Sequence, residues 1–588
     1  MQGFVLVILY FAISGDGYNI LGIFPHSARS HHIYFTALVE ELSRRQHNVT
    51  VINYHPMPNL PKVVRISLLG KENASVTVNT EKRLELLSIS DISMAYTTAI
   101  KYKDIANRNC IKMIENKKIR KIIDLAVHFD LVIIEQFVSD CGFAIAYKLN
   151  APTIGISAHI LKPWSYSRLG APNNPAFVPN HFFASGAKPN LFNKMKSLIV
   201  NYGMNLYYER VIQKSDQEIV NKVYPDVPPL ENLGKNMSLV LINQYFPLTR
   251  PQLYSSNVIE VGGLHINNKD GLRDKGLKTF LDSAQNGVVY ISFGSLASNL
   301  PRRLINSIIQ LLRKSNMAFV WKTDITHWDA PKNVFIGKWM PQVALLCHPK
   351  VIGFISHSGM LSTTEAVHCG VPIVSVPLFG DQFANGRSVV ESGVGVAVDV
   401  LTITEKVLEG ALETILEEKL ERLCNFATHL VGAQPTSTVD NLLRMCEATS
   451  EHYGWCKTLT QDDTSNIRKK KIEDSVIRLC SKNFRYQRNA KQLSGVWKDR
   501  PMSPMDTAIF WIEYVARNKG AVNMKPVTVD MTFYEYFCID IFLLIVIVLV
   551  LVVVSLLLTA KITFFAVRRI KLFLKDRKSK YFKVMSVS

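Results

Sequence analysis

The chain is poor in cysteine, and the few it has exclude a common kind of metal site. Its 588 residues include nine cysteines, and their spacing contains no Cys-x-x-Cys pair and no Cys/His ligand pattern. A structural zinc site is therefore not predicted, whereas this number leaves room for one or two disulfides.

Charged residues are absent from one long segment near the C-terminus. Residues 541–558 read IFLLIVIVLVLVVVSLLL, and about 20 apolar residues cross the hydrocarbon core of a bilayer. Residues 561–588 then carry nine lysines and arginines against a single acid, Asp576. The pattern predicts a transmembrane helix over residues 541–560 and, by the positive-inside rule, a basic cytosolic tail after it.

The N-terminus lacks the positive charge of a typical signal peptide but has its other features. An apolar run over residues 4–13 is too short to span a bilayer and precedes small residues. We predict a signal peptide over residues 1–17, with a buried first strand as the alternative. The body, followed by a juxtamembrane segment over residues 521–540, would then lie on the lumenal or extracellular side.

The formal net charge of +20 does not indicate a nucleic-acid partner. Much of this charge lies in the tail and in the RKKK run at residues 468–471, and a lumenal body does not meet nucleic acid. No nucleic-acid binding is predicted.

Apolar strands alternate with helical patterns along most of the chain. A strand over residues 19–24, a helical pattern and a second strand form a first βαβ unit. A proline-rich stretch within residues 225–251 looks like a connection, and a second series starts near Val258. The pattern predicts an α/β fold of two Rossmann-like domains, residues 18–250 and 251–520, that face one cleft.

The stretch FISHSGMLSTTEAVHCGVPIVSVPLFGDQ places polar residues at the ends of apolar elements. We predict a strand over residues 351–356 and a helix over residues 360–369. His357, Ser358 and Gly359 then stand at the strand's carboxyl end and in the helix's first turn. Unpaired backbone N–H groups and the helix dipole favour an anion there, and phosphate fits.

Three further polar residues extend this predicted site. Glu365 lies about two turns along the helix, where its carboxylate can accept paired ribose hydroxyls. Asp381 and Gln382 follow the end of the next strand, which is the crevice position at which open α/β sheets hold their ligands. They offer acceptors and donors that suit a sugar.

The same stretch belongs to a longer set of motifs. With FGS at residues 293–295, WMPQ at residues 339–342 and DRPMSPMDTAIFWIEYV at residues 499–515, it resembles the animal UDP-glycosyltransferases. This is the UDP-glucuronosyltransferase family, and the chain is most similar to its invertebrate-type members. The resemblance covers nearly the whole chain and implies a GT-B fold, with the acceptor in the N-terminal domain and the UDP-sugar in the C-terminal one.

The resemblance also implies a set of residues that hold the UDP-sugar, and these are Ser295, Trp339, Gln342, His357, Ser358, Gly359, Glu365, Asp381 and Gln382. Trp339 would stack on uracil and Gln342 would bond the nucleoside, although a lone tryptophan more often lies in a core. Ser295 would join the phosphate loop at the diphosphate. The UDP-sugar is a co-substrate, so no cofactor is implied, and no metal is expected because the chain contains no Asp-x-Asp triplet.

The resemblance places the catalytic base in the first domain. The family's histidine follows the first strand, and FPHSARSHHIYF puts His31 there, with His32 and His26 nearby. A neutral imidazole can take the proton of an acceptor hydroxyl. For the carboxylate that orients it, FDLVIIEQFVSDC offers Asp140 and Glu135, and we expect Asp140 because the family uses an aspartate.

Three features depart from the family pattern. Ser358 stands where a second glycine is usual, which predicts a bulkier phosphate loop. Residues 418–480 form a polar insert, which we interpret as a surface excursion or mis-predicted coding sequence and not as a catalytic domain. The tail ends in VMSVS, without the dilysine pattern of many relatives.

The predicted function is the inverting transfer of a hexose from a UDP-sugar to a hydroxyl of small lipophilic acceptors, as in detoxification or conjugation. We prefer UDP-glucose over UDP-glucuronic acid as the donor, because the motif residues supply no cation for a carboxylate. The alternative is a catalytically impaired UDP-sugar-binding paralogue. We expect a single-pass type I glycoprotein of the endoplasmic reticulum membrane with a lumenal body, and homo-oligomers are left open.

Overall fold

The computed structural model describes residues 17–69, 91–174, 178, 189–267, 271–294, 300–325, 328–416 and 485–585. Residues 1–526 form one compact unit and residues 527–588 form a second. The predicted insert, and all but the last residue of the predicted signal peptide, lie outside the described residues.

The N-terminal part of the larger unit is built on a parallel sheet of seven strands. The strands are β1 (Asn19–Phe24), β2 (Asn48–Asn53), β3 (Val63–Ser67), β4 (Leu131–Glu135), β5 (Thr153–Ser157), β6 (Val240–Ile242) and β7 (Val258–Glu260). The helices are α1 (Arg29–Arg44), α2 (Asp91–Ile114), α3 (Lys117–Asp124), α4 (Cys141–Lys148), α5 (Ser165–Arg168), α6 (Leu191–Tyr207), α7 (Lys214–Asn221), α8 (Leu230–Lys235) and α9 (Phe246–Thr249), with a π-helical turn (Tyr208–Gln213) joining α6 to α7.

The C-terminal part is built on a second parallel sheet of six strands. The strands are β8 (Val288–Ser292), β9 (Ala318–Lys322), β10 (Val334–Gly337), β11 (Val351–Ser356), β12 (Ile373–Ser375) and β13 (Gly395–Ala397). The helices are α10 (Lys275–Ser283), α11 (Arg302–Lys314), α12 (Gln342–Leu346), α13 (Met360–Cys369), α14 (Gln382–Glu391), α15 (Glu405–Leu416), α16 (Arg485–Lys498) and α17 (Pro504–Arg517).

The central strands of both sheets are short apolar runs. β4 reads LVIIE and β8 reads VVYIS, and every residue of both strands is buried. Parallel strands that are covered by helices on both faces have this composition. The predicted α/β architecture with two Rossmann-like parts is confirmed.

The strand order of each sheet fixes where a ligand can bind. The orders are β3-β2-β1-β4-β5-β6-β7 and β10-β9-β8-β11-β12-β13, so the order reverses between β1 and β4 and between β8 and β11. Open α/β sheets bind ligands outside the carboxyl ends of the strands at such a reversal. The residues that follow these four strands are therefore brought to two crevices.

Two elements cross the predicted domain boundary. β7 pairs in parallel with β6, with Val258 opposite Val240, so the prediction that the second series starts near Val258 is wrong. The strand joins the first sheet because its apolar residues complete that sheet's edge. α17 also returns to the first part, where Ile509 and Ile512 pack in the same core as Ile20 of β1.

The smaller unit contains a 3-10 turn (Val527–Val529) and the helices α18 (Phe533–Tyr536) and α19 (Ile539–Met585). The most apolar window of α19 has a mean hydropathy of 3.7. By length and composition α19 could cross a membrane, and it contains the predicted span over residues 541–560.

Candidate active site

The crevice of the first sheet brings a histidine and a glutamate together. β1 and β4 are neighbours, with Ile23 opposite Ile134, so the start of α1 lies beside the end of β4. Nδ1 of His31 lies 2.5 Å from Oε1 of Glu135, where an imidazole N–H donates to a carboxylate. The backbone N–H of His26 donates to the other oxygen of Glu135 at 3.2 Å. The second ring nitrogen of His31 is left to act on a ligand.

Burial shifts the proton affinities of this pair. It lowers the pKa of His31, and the charge of Lys162 lowers it further. Burial raises the pKa of Glu135 to about 7, against the charge of His26. His31 is therefore a neutral imidazole near pH 7, which is the form that can accept a proton.

Asp140 does not pair with His31, so the predicted partner was wrong. Arg168 donates to both oxygens of Asp140, each at 2.9 Å, and the amide of Gln213 donates to one of them at 2.7 Å. Burial acts to raise the pKa of Asp140, but the charge and hydrogen bonds of Arg168 outweigh it and hold the pKa below its usual value. Asp140 stands at the N-cap of α4, and its side chain belongs to a buried ion pair that does not line the cavity.

Aromatic side chains surround the catalytic candidate. The ring centre of Phe137 lies 5.2 Å from that of His31 and 4.3 Å from that of His26. His159 lies 4.9 Å from His31, and Nζ of Lys162 lies 4.8 Å from the Phe137 ring centre. The sequence prediction missed Phe137, His159 and Lys162. They follow β4 and β5, and because ligands bind outside the carboxyl ends of strands, their positions in the sequence could have indicated them.

The crevice of the second sheet holds Glu365 between two polar partners. Nε2 of Gln342 donates to one oxygen of Glu365 at 2.6 Å, and Nε2 of His265 lies 3.0 Å from the other. The hydroxyl of Tyr290 donates to the amide oxygen of Gln342 at 3.0 Å. Each carboxylate oxygen can accept more than one hydrogen bond, so Glu365 keeps capacity for hydroxyls. His265 is a further residue that the sequence prediction missed.

The predicted phosphate loop is shaped by two glycines around one imidazole. A Cβ on Gly359 would lie 2.5 Å from Nε2 of His357, and one on Gly294 would lie 2.7 Å from the same atom. Burial lowers the pKa of His357 to about 4. Gly359 is the N-cap of α13, whose first-turn N–H groups have no partner within the helix. Ser295 lies outside the described residues.

Ser358 does not fill the phosphate loop. Its φ of +57° explains why glycine suits this position. Its hydroxyl donates to that of Ser375 at 2.6 Å, and its backbone N–H donates to Ser356 Oγ at 3.1 Å. The side chain is fully buried and does not line the cleft, so the predicted bulkier loop is wrong.

The two residues predicted at the transferred sugar both line the cleft. Oε1 of Gln382 accepts from the backbone N–H groups of Leu378 and Phe379 at 2.8 and 3.1 Å, which leaves its amide NH₂ to donate. Burial raises the pKa of Asp381, and the charge of Lys162 opposes that effect. The charge of Lys162, from the first part of the chain, thus acts on Asp381 as well as on His31.

Trp339 is more exposed than a core tryptophan. Its exposed fraction is 56%, and Nζ of Lys322 and Cζ of Arg29 lie 4.5 and 5.6 Å from its ring centre. An exposed ring at the cleft can stack on a planar base.

One cavity of about 780 Å³ joins these groups. His31, His159 and Lys162 line it from the first part, and His357 and Asp381 line it from the second. This volume holds a ligand of several hundred daltons. The arrangement can set a neutral base against one substrate while backbone N–H groups and polar side chains hold another.

The fold and the cleft define a two-part α/β protein with a buried, neutral imidazole in the cavity that the two parts share. The chain belongs to the family described as "UDP-glucoronosyl and UDP-glucosyl transferase", whose model matches residues 21–454 and 438–577. The resemblance predicted from the motifs is confirmed, and the chain is a UDP-glycosyltransferase.

Several known proteins are similar to the chain. "UDP-glucosyltransferase 2" of Dactylopius coccus is 28% identical, over 92% of this chain and 93% of its own length. "UDP-glucuronosyltransferase 1A3" of Rattus norvegicus is 24% identical, over 92% of both chains. The crystal structure of a UDP-glucose:anthocyanidin 3-O-glucosyltransferase in complex with UDP is 18% identical, with a TM-score of 0.45, and covers 82% of this chain and 100% of that one.

Proposed function

We propose that this UDP-glycosyltransferase transfers glucose from UDP-glucose to a hydroxyl of small lipophilic acceptors, with inversion at the anomeric carbon. His31 is the general base, and Glu135 orients it. The observation that supports this most is the 2.5 Å contact between His31 and Glu135 at the wall of the shared cavity.

The reaction needs one base and a well-held leaving group. The imidazole takes the proton of the acceptor hydroxyl, the oxygen attacks the anomeric carbon, and the bond to the diphosphate breaks. Glu135 stabilises the imidazolium that forms. The first turn of α13 and His357 are suited to the charge on the departing UDP, Glu365 to the ribose, and Asp381 and Gln382 to the sugar.

The acceptor side of the cavity favours apolar, ring-containing molecules. Phe137, Tyr102 and Ile105 line it beside His31, and aromatic rings stack on such walls. This composition supports lipophilic acceptors and a role in conjugation or detoxification.

Two observations bear on the choice of glucose over glucuronic acid as the transferred sugar. Lys162 provides a cation near Asp381 that the motif residues do not, but burial lowers its pKa to about 7, so it is only partly charged at neutral pH. We keep glucose as the donor, in line with the similarity to a protein named UDP-glucosyltransferase 2.

We also propose that the body lies in the lumen of the endoplasmic reticulum. The structure pairs Cys110 with Cys141 and Cys347 with Cys369, and disulfides persist in oxidising compartments. The basic tail after α19 supports the same orientation.

A transfer assay tests the function. Membranes that contain the full chain are given UDP-glucose or UDP-glucuronic acid and a panel of phenols and other lipophilic alcohols, and the product configuration is read by NMR. We expect β-glucosides, and a ~10²–10⁴-fold loss of turnover in His31→Ala with UDP-sugar binding retained. UDP-sugar binding without any product would support the impaired paralogue, and products from UDP-glucuronic acid alone would contradict glucose.

A further inference from the structure

One cationic side chain of the first part lies inside the cavity. Lys162 follows β5 and lines the cavity together with His31 and Asp381. The residue is only 2% exposed, and lysine is among the residues least often buried. Its position at the wall of a substrate cavity therefore requires an explanation.

The backbone around Lys162 is fixed on both sides. The preceding strand, β5, is buried in the first sheet over all but its first residue. The carbonyl of Lys162 accepts from the backbone N–H of Ser165 at 3.0 Å, where α5 begins. Arg168 at the end of α5 donates to Asp140 at 2.9 Å. Lys162 is therefore carried by a short segment that the sheet and a buried ion pair hold in place.

Two aromatic rings lie beside the ammonium group. Nζ of Lys162 lies 4.8 Å from the ring centre of Phe137 and 5.6 Å from that of Tyr102. The two rings meet edge to face with their centres 5.2 Å apart, and both line the cavity. An ammonium group has three N–H donors, so Lys162 can bind a ligand in addition to its partners within the protein.

The base and the ammonium group share one aromatic neighbour. The ring centre of Phe137 lies 5.2 Å from that of His31 and 4.8 Å from Nζ of Lys162. A ligand with one benzene ring that lies on Phe137 can therefore reach the imidazole with one substituent and the ammonium group with another.

The surroundings of Lys162 favour an anionic substituent there. Burial lowers the pKa of Lys162 to about 7, and the charge of Asp381 opposes this effect. A carboxylate that binds Nζ acts in the same direction as Asp381 and favours the charged form. Hydrogen bonds between two charged groups are also about twice as strong as those between neutral groups. A neutral substituent gains neither effect.

We propose that Lys162 selects acceptors that carry a carboxylate on the same aromatic ring as the reacting hydroxyl. The ring would stack on Phe137 and Tyr102, the hydroxyl would face His31, and the carboxylate would bind Nζ of Lys162. This inference rests on the proposed function, because it assigns the hydroxyl to the base. It names aromatic hydroxy acids as the substrate class within the small acceptors.

A carboxylate on the donor sugar is the other anion of this chemistry. Asp381 is one of the residues proposed at the sugar, and a sugar carboxylate would meet a like charge there. The ammonium group of Lys162 instead lies beside two rings of the first part, Phe137 and Tyr102. Its position therefore favours the acceptor.

Equilibrium dialysis of the full chain in detergent micelles tests the proposal without sugar transfer. The probes are 4-hydroxybenzoate and 4-hydroxybenzamide, which have nearly the same shape and differ in charge, and each is dialysed in the presence of UDP. We expect the parent to bind the acid more tightly than the amide. Lys162→Met should reduce this preference by roughly ten-fold or more, whereas Lys162→Arg keeps the charge and should retain most of it.

Matched controls separate the loss of this contact from loss of fold. Lys322 also lines the cavity, with its Nζ 4.5 Å from the ring centre of Trp339, and Lys322→Met should leave the ratio of the two affinities unchanged. A variant that has lost its fold would lose both probes together, and the melting temperature of each variant reports on folding. Lys162→Gln serves as the second neutral variant if Lys162→Met does not fold.

Three results would overturn the proposal. They are a parent that binds the amide as tightly as the acid, a preference for the acid that the neutral variants keep, and a Lys162→Met variant that loses affinity for UDP-glucuronic acid but not for 4-hydroxybenzoate. Binding needs no sugar transfer, so its failure is distinct from failure of the proposed function. If both hold, kcat/KM for the formation of the two glucosides should show the same dependence on Lys162.

Discussion

At the scale of single residues, the reaction depends on which carboxylate faces His31. Glu135→Gln keeps the size of the side chain and removes the charge that stabilises an imidazolium. We expect turnover per folded molecule to fall by ~10²–10⁴-fold, with UDP affinity unchanged because the residues proposed to bind the nucleotide belong to the second sheet's crevice. Asp140→Asn, measured the same way, should stay within a few-fold of the parent. Equal losses in both variants would contradict the pairing of Glu135 with His31.

The same pair sets the pH dependence. Burial raises the pKa of Glu135 to about 7, so the pair takes up an extra proton as the pH falls through that region. The protonated pair cannot accept the acceptor's proton, and we expect kcat/KM to fall on the acid side of pH ~7. In Glu135→Gln the residual activity should fall only at lower pH, because burial and Lys162 lower the pKa of His31. If kcat/KM of Glu135→Gln still falls on the acid side of pH ~7, that fall is caused by the titration of another group.

At the scale of elements, Asp140 and Arg168 tie the start of α4 to α5. Their side chains are 3% and 1% exposed, and removal of one partner of a buried ion pair costs roughly 3–5 kcal/mol. We expect Asp140→Asn to lower the free energy of unfolding by about this amount, as measured by denaturant titration. Glu135→Gln, which leaves this ion pair intact, serves as the control and should unfold near the parent's midpoint.

The pH dependence of this stabilisation follows from the direction in which the pKa of Asp140 is shifted. The pKa of Asp140 is held below its usual value, which is ~3.9 in an unfolded chain. The contribution is therefore present above pH ~4 and is lost as the pH falls through the folded pKa. The difference in stability between the parent and Asp140→Asn should shrink below pH ~4, and a difference that grows there would contradict the assignment.

Local patterns predicted the elements well. The strand over residues 351–356 and the helix over residues 360–369 have the predicted bounds, because apolar runs and Gly370 mark them in the sequence. The partner of His31 could not be read in this way. Glu135 and Asp140 are both buried and acidic, and only the neighbouring position of β1 and β4 decides between them.

At the scale of the whole molecule, the proposed orientation of the chain in the membrane can be tested. If the tail after α19 is cytosolic and the body lumenal, protease added to sealed microsomes should remove only the tail. Antibodies against the body would detect the protected chain without its tail. Detergent should make the body accessible to the protease. Digestion of the body in intact vesicles would overturn the proposed orientation.

The division of the chain into domains was the least predictable feature. A boundary at residue 250 follows from prolines and the repeat of βαβ units, which are local signals. The pairing of β7 with β6 and the packing of α17 on the first sheet are tertiary contacts. No pattern in the sequence of β7 or α17 alone predicts them. The cleft itself was predictable because strand ends converge there.

The return of α17 to the first sheet also has a consequence for the order of synthesis. The ribosome completes β7 about 240 residues before it reaches α17, and at ~5–20 residues per second this gap lasts roughly 10–50 s. Throughout that interval the apolar side chains that Ile509 and Ile512 will cover stay uncovered. The first domain therefore cannot complete its core until the ribosome has made α17, after the strands of the second sheet.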